Sequence, residues 1–230
     1  MGIEGFLTRE VVDACVDVGC RERAPVAAAH YEAFVDPSGG AADAMTLAIA
    51  HRDDRRLVLD ALAERRPPFS PEAVVEEFGR LLARYQITTI VGDRYGGEWP
   101  REAFRRHGIA YEVADTARSD LYRDLLPLIT SQQVALLDHP RLVAQLSSRE
   151  RRTGRGGRDH IDHPPGGHDD LANAVAGALV LAARRGGSGL PMAILGLGPD
   201  HASLPTPQER ADLDRRQRHA LWTQRGWINV

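Results

Sequence analysis

With 230 residues, 43% of them apolar and 27% charged, the chain can bury a substantial core and is too evenly mixed for a disordered or fibrous protein. Its net charge is −3, and no apolar run approaches the roughly 20 residues of a membrane span, so a spanning helix is excluded. Two cysteines, Cys15 and Cys20, cannot build a disulfide framework, and Met1 to Phe6 lacks the basic and apolar regions of a secretory signal. Reduced thiols and a cytoplasmic setting are expected.

In chain order, Thr8 to Val18 is amphipathic with Thr8 as N-cap and predicts a lead-in helix within residues 1–29. His30 to Asp36, Ala44 to His51 and Arg56 to Leu62 read as three strands of an antiparallel meander, turned first at Pro37-Ser38-Gly39-Gly40. Ser70-Pro71-Glu72 opens a helix whose Val74, Val75, Phe78, Leu81, Leu82 and Tyr85 recur at helical spacing. Ile87 to Val91 is a strand ending at Gly92-Asp93, Trp99 to His107 a helix stopped by Gly108, and Ile109 to Val113 another strand. Strands that alternate with helices should be parallel. Ser119 to Thr130 predicts a helix, Gln133 to Leu137 a short strand, Pro140 to Arg149 a helix, and the Arg/Gly segment after it a loop or hairpin. His168 to Arg184 predicts the last helix, with Leu171, Val175, Ala178, Leu179 and Ala182 inward. Residues 187–230 are Gly- and Pro-rich and read as a tail with a short helix near Glu209 to Trp222.

This order resembles the ribonuclease H-like fold: an α/β domain over residues 30–186 with a mixed five-stranded sheet flanked by helices. In that fold the first and fourth strands are parallel neighbours, which would set Asp36 and Asp93 at one sheet edge. The last helix would bring Asp169 or Asp170 across it. Each aspartate alone reads as a turn or cap residue. Together, they are carboxylates that repel unless a cation lies between them, and hard cations such as Mg²⁺ or Mn²⁺ select oxygen ligands.

Three runs carry a closer resemblance: Tyr31-Glu-Ala-Phe-Val-Asp-Pro-Ser-Gly-Gly40, Ile90-Val-Gly-Asp-Arg-Tyr-Gly-Gly97 and His168-Asp-Asp-Leu-Ala-Asn-Ala174. Over roughly residues 28 to 185 the chain resembles the C-terminal nuclease domain of the large terminase subunit of tailed bacteriophages. The resemblance implies an endonuclease that cuts duplex viral DNA during genome packaging with two divalent metals, Mg²⁺ or Mn²⁺. It also implies Asp36 as the first-strand acid, Asp93 as the fourth-strand acid, and Asp170 or Asp169 as the acid on the terminal helix. Asp170 is preferred, because Asp169 suits the N-cap. Asp43 is an expected accessory ligand, and His168 would orient a carboxylate or touch the scissile phosphate. A complete large terminase also carries an ATPase motor, whereas this sequence has no Gly-x-x-x-x-Gly-Lys-Ser/Thr and no Lys at all. Either the motor is a separate subunit, with a small terminase and a portal as further expected partners, or the sequence is a fragment or a remnant in an integrated prophage.

All 29 basic residues are Arg, and Arg149, Arg151, Arg152, Arg155 and Arg158 are interleaved with glycines. A loop of this kind can follow a phosphate backbone even in a mildly acidic protein. Trp99, Trp222 and Trp227 read as packing residues, and His51, His107, His139 and His201 as surface residues. Two rival readings keep the acids but change the role: a Holliday-junction resolvase type of nuclease, and a DNA-binding or assembly module that has lost turnover.

Overall fold

The computed structural model describes residues 3–5, 7–94, 98–148, 150–153, 159–162 and 169–185, all within one compact unit formed by residues 1–194. Trp222, Trp227, His201 and the helix expected near 209–222 lie outside the described residues.

A short strand β1 (Ile3–Gly5), helix α1 (Arg9–Asp13) and strand β2 (Val16–Asp17) precede the meander of β3 (Tyr31–Asp36), β4 (Met45–Asp53) and β5 (Arg56–Arg65). Then come α2 (Pro71–Arg84), β6 (Thr89–Gly92), α3 (Trp99–Arg106), β7 (Ala110–Val113), α4 (Arg118–Thr130), β8 (Val134–Leu137) and α5 (Pro140–Ser147). The paired strands β9 (Glu150–Thr153) and β10 (Asp159–Asp162) lead to α6 (Asp170–Arg185).

The main sheet has seven strands among the described residues, in the order β2-β8-β5-β4-β3-β6-β7, not the five expected. The meander is antiparallel, and the flanking strands join in parallel. The extra strands arise because β5 has a free edge that pairs with β8, Leu57 opposite Val134, and β8 in turn pairs with β2, Val16 opposite Leu136. For that reason α1 stops at Asp13 and does not continue to Val18: Val16 and Asp17 satisfy their backbone groups in the sheet. A two-residue strand leaves no periodic trace in sequence. β1, β9 and β10 form a separate three-stranded sheet, so the Arg/Gly segment contains β9, and its antiparallel partner β10 follows the segment.

Alternation along β3 sorts the core into two layers. Phe34 faces the side covered by α4, α5 and α6, where it joins Ala48, Leu59, Leu125, Leu146, Val175 and Leu179. Ala33 and Val35 face the side of α2 and α3, with Leu47, Ile49, Val75, Phe78 and Phe104. Trp99 packs against the second layer. Helix α6 is buried from Asp170 to Val180, and small residues on it (Ala172, Ala174, Ala176, Gly177, Ala178) let it lie close against β3, β4 and β5.

His51 is a buried residue, contrary to the surface position expected from its spacing. Opposite β4 the register of β5 jumps from Leu59 to Ala61, leaving Asp60 as the extra residue of a bulge. Its carboxylate turns to His51 Nδ1 at 2.6 Å, so each polar group compensates the other's burial.

Candidate metal centre

The centre begins with strand pairing. β3 and β6 lie side by side and parallel, Phe34 opposite Val91 and Val35 opposite Gly92, so Asp36 and Asp93 leave the sheet at the same end. The Asp93 N–H donates to Val35 O at 3.3 Å, and the Tyr111 hydroxyl donates to Asp93 O at 2.7 Å. Gly92 is required for this approach, since a Cβ there would lie 2.7 Å from Val35 O and collide with the Tyr111 hydroxyl. Asp36 follows Phe34 by two residues and so faces α6.

The start of α6 completes the corner. Asp169 precedes the helix, its carbonyl accepts from Asn173 N–H at 2.8 Å, and Asp170 is the first helical residue, its carbonyl accepting from the Thr46 hydroxyl at 2.8 Å. One turn on, Asn173 Nδ2 donates to Asp36 Oδ2 and to Asp93 Oδ2, both at 2.8 Å. Arg118, the first residue of α4, reaches in from the other side. Its Nη2 is 2.9 Å from Asp93 Oδ2 and 3.6 Å from Asp36 Oδ2, and its Nη1 is 3.2 Å from Asp169 Oδ1.

Asp36, Asp93, Asp169 and Asp170 thus share a corner in which the Arg118 guanidinium pairs with the first three. Burial, then Asp93 and Asp170, push the Asp36 carboxyl up to about 7, although Arg118 and the Asn173 amide draw it down. Burial disfavours the charged Arg118, but Asp36, Asp169 and Asp93 together outweigh it and hold the guanidinium more firmly protonated than usual. Among the described residues no three acidic, His or Cys side chains form a preformed metal cage, because nitrogen donors of Arg118 and Asn173 stand between the carboxylates. The chemistry of the corner nevertheless fits a hard cation. Its donors are carboxylate oxygens, and the fully buried Asn173 also has an Oδ1 with no hydrogen-bond partner among the described residues.

No protein-family model matches the sequence, and no curated protein matches it. Solved structures do. The magnesium-bound large terminase nuclease of thermophilic phage G20c superposes with a TM-score of 0.63 at 17% identity, covering 75% of this chain and 96% of that one. The HK97 bacteriophage large terminase gives 0.63 at 16% identity, with 79% of this chain matched to 44% of that longer one. A nuclease domain of the large terminase subunit of bacterial virus Sf6, with manganese, gives 0.59 at 15% identity, covering 76% and 98%. The chain has the fold of the large terminase nuclease domains.

Within that terminase nuclease fold, the expected residues fall into three groups. Asp36, Asp93, Asp169 and Asp170 come together. Asp169 turns to Arg118, whereas Asp170 lies near enough to Asp36 to raise its pKa. Asp43 is exposed in the turn before β4, where its carbonyl accepts from the Ser38 hydroxyl at 2.7 Å, and no described contact links it to the corner. His168, Arg149, Arg155 and Arg158 lie outside the described residues, and Arg151 and Arg152 are placed only as backbone in β9. Sequence reasoning missed Arg118 and Asn173. The spacing of Asn173, three after Asp170, was a usable helical signal. Arg118 had none, since only the packing of α4 against α6 brings it to the acids.

Proposed function

We propose that the chain is a metal-dependent endonuclease that cuts duplex DNA, of the large terminase kind that serves viral genome packaging in a bacterial host. One arrangement supports this reading above all. A buried carboxylate, Asp36, and a half-buried one, Asp93, at the ends of two parallel strands meet the acidic start of a helix, in the fold of nuclease domains whose solved structures hold magnesium, cobalt, zinc or manganese.

Asp36, Asp93 and the Asp169-Asp170 pair would hold two Mg²⁺ or Mn²⁺ ions. When bound, such ions supply a water of lowered pKa and offset the charge that develops on the phosphate. The protein's own part begins with Asp36, whose carboxyl pKa is pushed up to about 7 by burial, so that a cation held beside it would favour its charged form. Asn173 Nδ2 keeps the Asp36 and Asp93 carboxylates turned toward each other. Burial of Asp36, Asp169 and Asp170 keeps bulk water from competing for their oxygens. Among the described residues no helix is long and apolar enough to cross a membrane. An ATPase motor subunit, a small terminase and a portal are the partners this role calls for.

The test is plasmid nicking by the purified chain in Mn²⁺ or Mg²⁺ without ATP. Cleavage that EDTA abolishes is expected, and linear duplex should be cut at least as well as a four-way junction. Inertness under all these conditions would refute the nuclease reading, and strict preference for the junction would favour a resolvase.

Segment 149–158 is proposed to contact the DNA backbone without reading bases. Replacing Arg151, Arg152 and Arg155 together with Ser should weaken binding to unrelated duplexes alike. The log–log salt slope should become shallower by about 0.9 for each phosphate that the variant no longer neutralises. Fluorescence anisotropy across a salt series reads this directly, and an unchanged slope assigns the DNA path elsewhere.

A further inference from the structure

The corner already contains a cation of its own. Arg118 bonds Asp93 and Asp169 and lies within ion-pair distance of Asp36. Among the described residues it is the one basic side chain paired with either Asp36 or Asp93. The oxygens it approaches on those two residues, both Oδ2, are the same ones that Asn173 Nδ2 bridges. A divalent ion shared by Asp36 and Asp93 would draw on that inner space, where a guanidinium repels it.

Arg118 is also built to leave. It is the first residue of α4, and its side chain is 42% exposed. Withdrawal requires rotamer changes of one side chain and no movement of sheet or helix.

We propose that Arg118 is a resident counter-ion that holds the acidic corner together without metal and competes with the divalent cation for Asp36, Asp93 and Asp169. This rests on the metal-dependent reading above and adds that the chain's metal affinity is set low by one of its own side chains. The ion and the guanidinium are alternative solutions to the same excess of negative charge. Loading exchanges one for the other.

The experiment is calorimetric titration of Mn²⁺ into the full chain without DNA, for the parent, Arg118→Met and Arg118→Lys, with metal-free melting temperatures alongside. Arg118→Met should bind Mn²⁺ roughly tenfold more tightly, a change of about 1.4 kcal/mol. It should melt lower than the parent without metal and gain more from Mn²⁺. Arg118→Lys should fall between the two, because a compact ammonium cannot span three carboxylates at once. It carries the test if the Met variant does not fold. Mn²⁺ binding that is unchanged or weaker in the variants would make Arg118 a purely structural support and overturn the competition. Absence of Mn²⁺ binding in parent and variants alike would overturn the metal reading itself.

Discussion

Asp36→Asn should yield a folded protein whose metal-dependent DNA cleavage falls below about one-thousandth of the parent rate, a loss of roughly 4 kcal/mol of transition-state stabilisation. The amide keeps the shape of the carboxylate and a single acceptor for Asn173, but it removes the charge that attracts a cation. The same variant should gain stability in metal-free buffer, with a distinct pH signature. The Asp36 carboxyl rises from 3.8 unfolded to about 7 folded, driven mainly by burial. A raised pKa means that the folded state favours the protonated form. The stabilisation this brings is complete below pH 3.8 and is lost as pH rises to about 7. Above that pH the buried charge costs the parent up to about 4 kcal/mol, a burden the variant does not carry. The melting temperature of Asp36→Asn relative to the parent should therefore be more favourable at about pH 8 than at about pH 5. Retained nuclease activity would remove Asp36 from the site, and a pH-independent difference would mean that its carboxyl is not buried against Asp93 and Asp170.

Gly177→Val should be the most disruptive single substitution in the helix that carries the acids. A Cβ at 177 would lie under 3.0 Å from Cγ and both Cδ atoms of Phe34, whose ring is locked in the core and cannot give way. Helix propensity offers Val little over Gly, a few tenths of a kcal/mol, whereas overpacking of this kind costs about 3 kcal/mol. The overpacking decides the sign. Chemical denaturation should show a correspondingly lower midpoint. Cleavage should fall as well, because Asn173 stands one turn before Gly177 and would be lifted with the helix from Asp36 and Asp93. Parental stability in this variant would show that α6 does not need its close approach to β3.

These two residues also mark what could be read without a structure. Helix α2 was legible because Ser70-Pro71-Glu72 signals its start and its apolar residues repeat at helical spacing. The ends of β3 and β6 were legible because apolar runs stop abruptly at Asp36 and Asp93. What escaped was whatever is decided by contacts between distant segments. β2 exists only because β8 offers an edge, and His51 is buried only because a bulge turns Asp60 toward it. Arg118 looks like any arginine at a helix start, and its role at the acids comes from the packing of α4 on α6. The choice between Asp169 and Asp170 could not be made from their adjacent positions in the chain, and even folded they keep different company, Arg118 for one and Asp36 for the other.

The amide of Asn173 reaches across 137 residues of chain to Asp36 and across 80 to Asp93. No local segment can rehearse such contacts, because the entropy of closing both loops must be met before either hydrogen bond forms. The acidic corner therefore cannot form before β3 has paired with β6 and α6 has docked. An ion captured there would bind only chains in which both contacts already stand, and so would stabilise the folded state over the unfolded one.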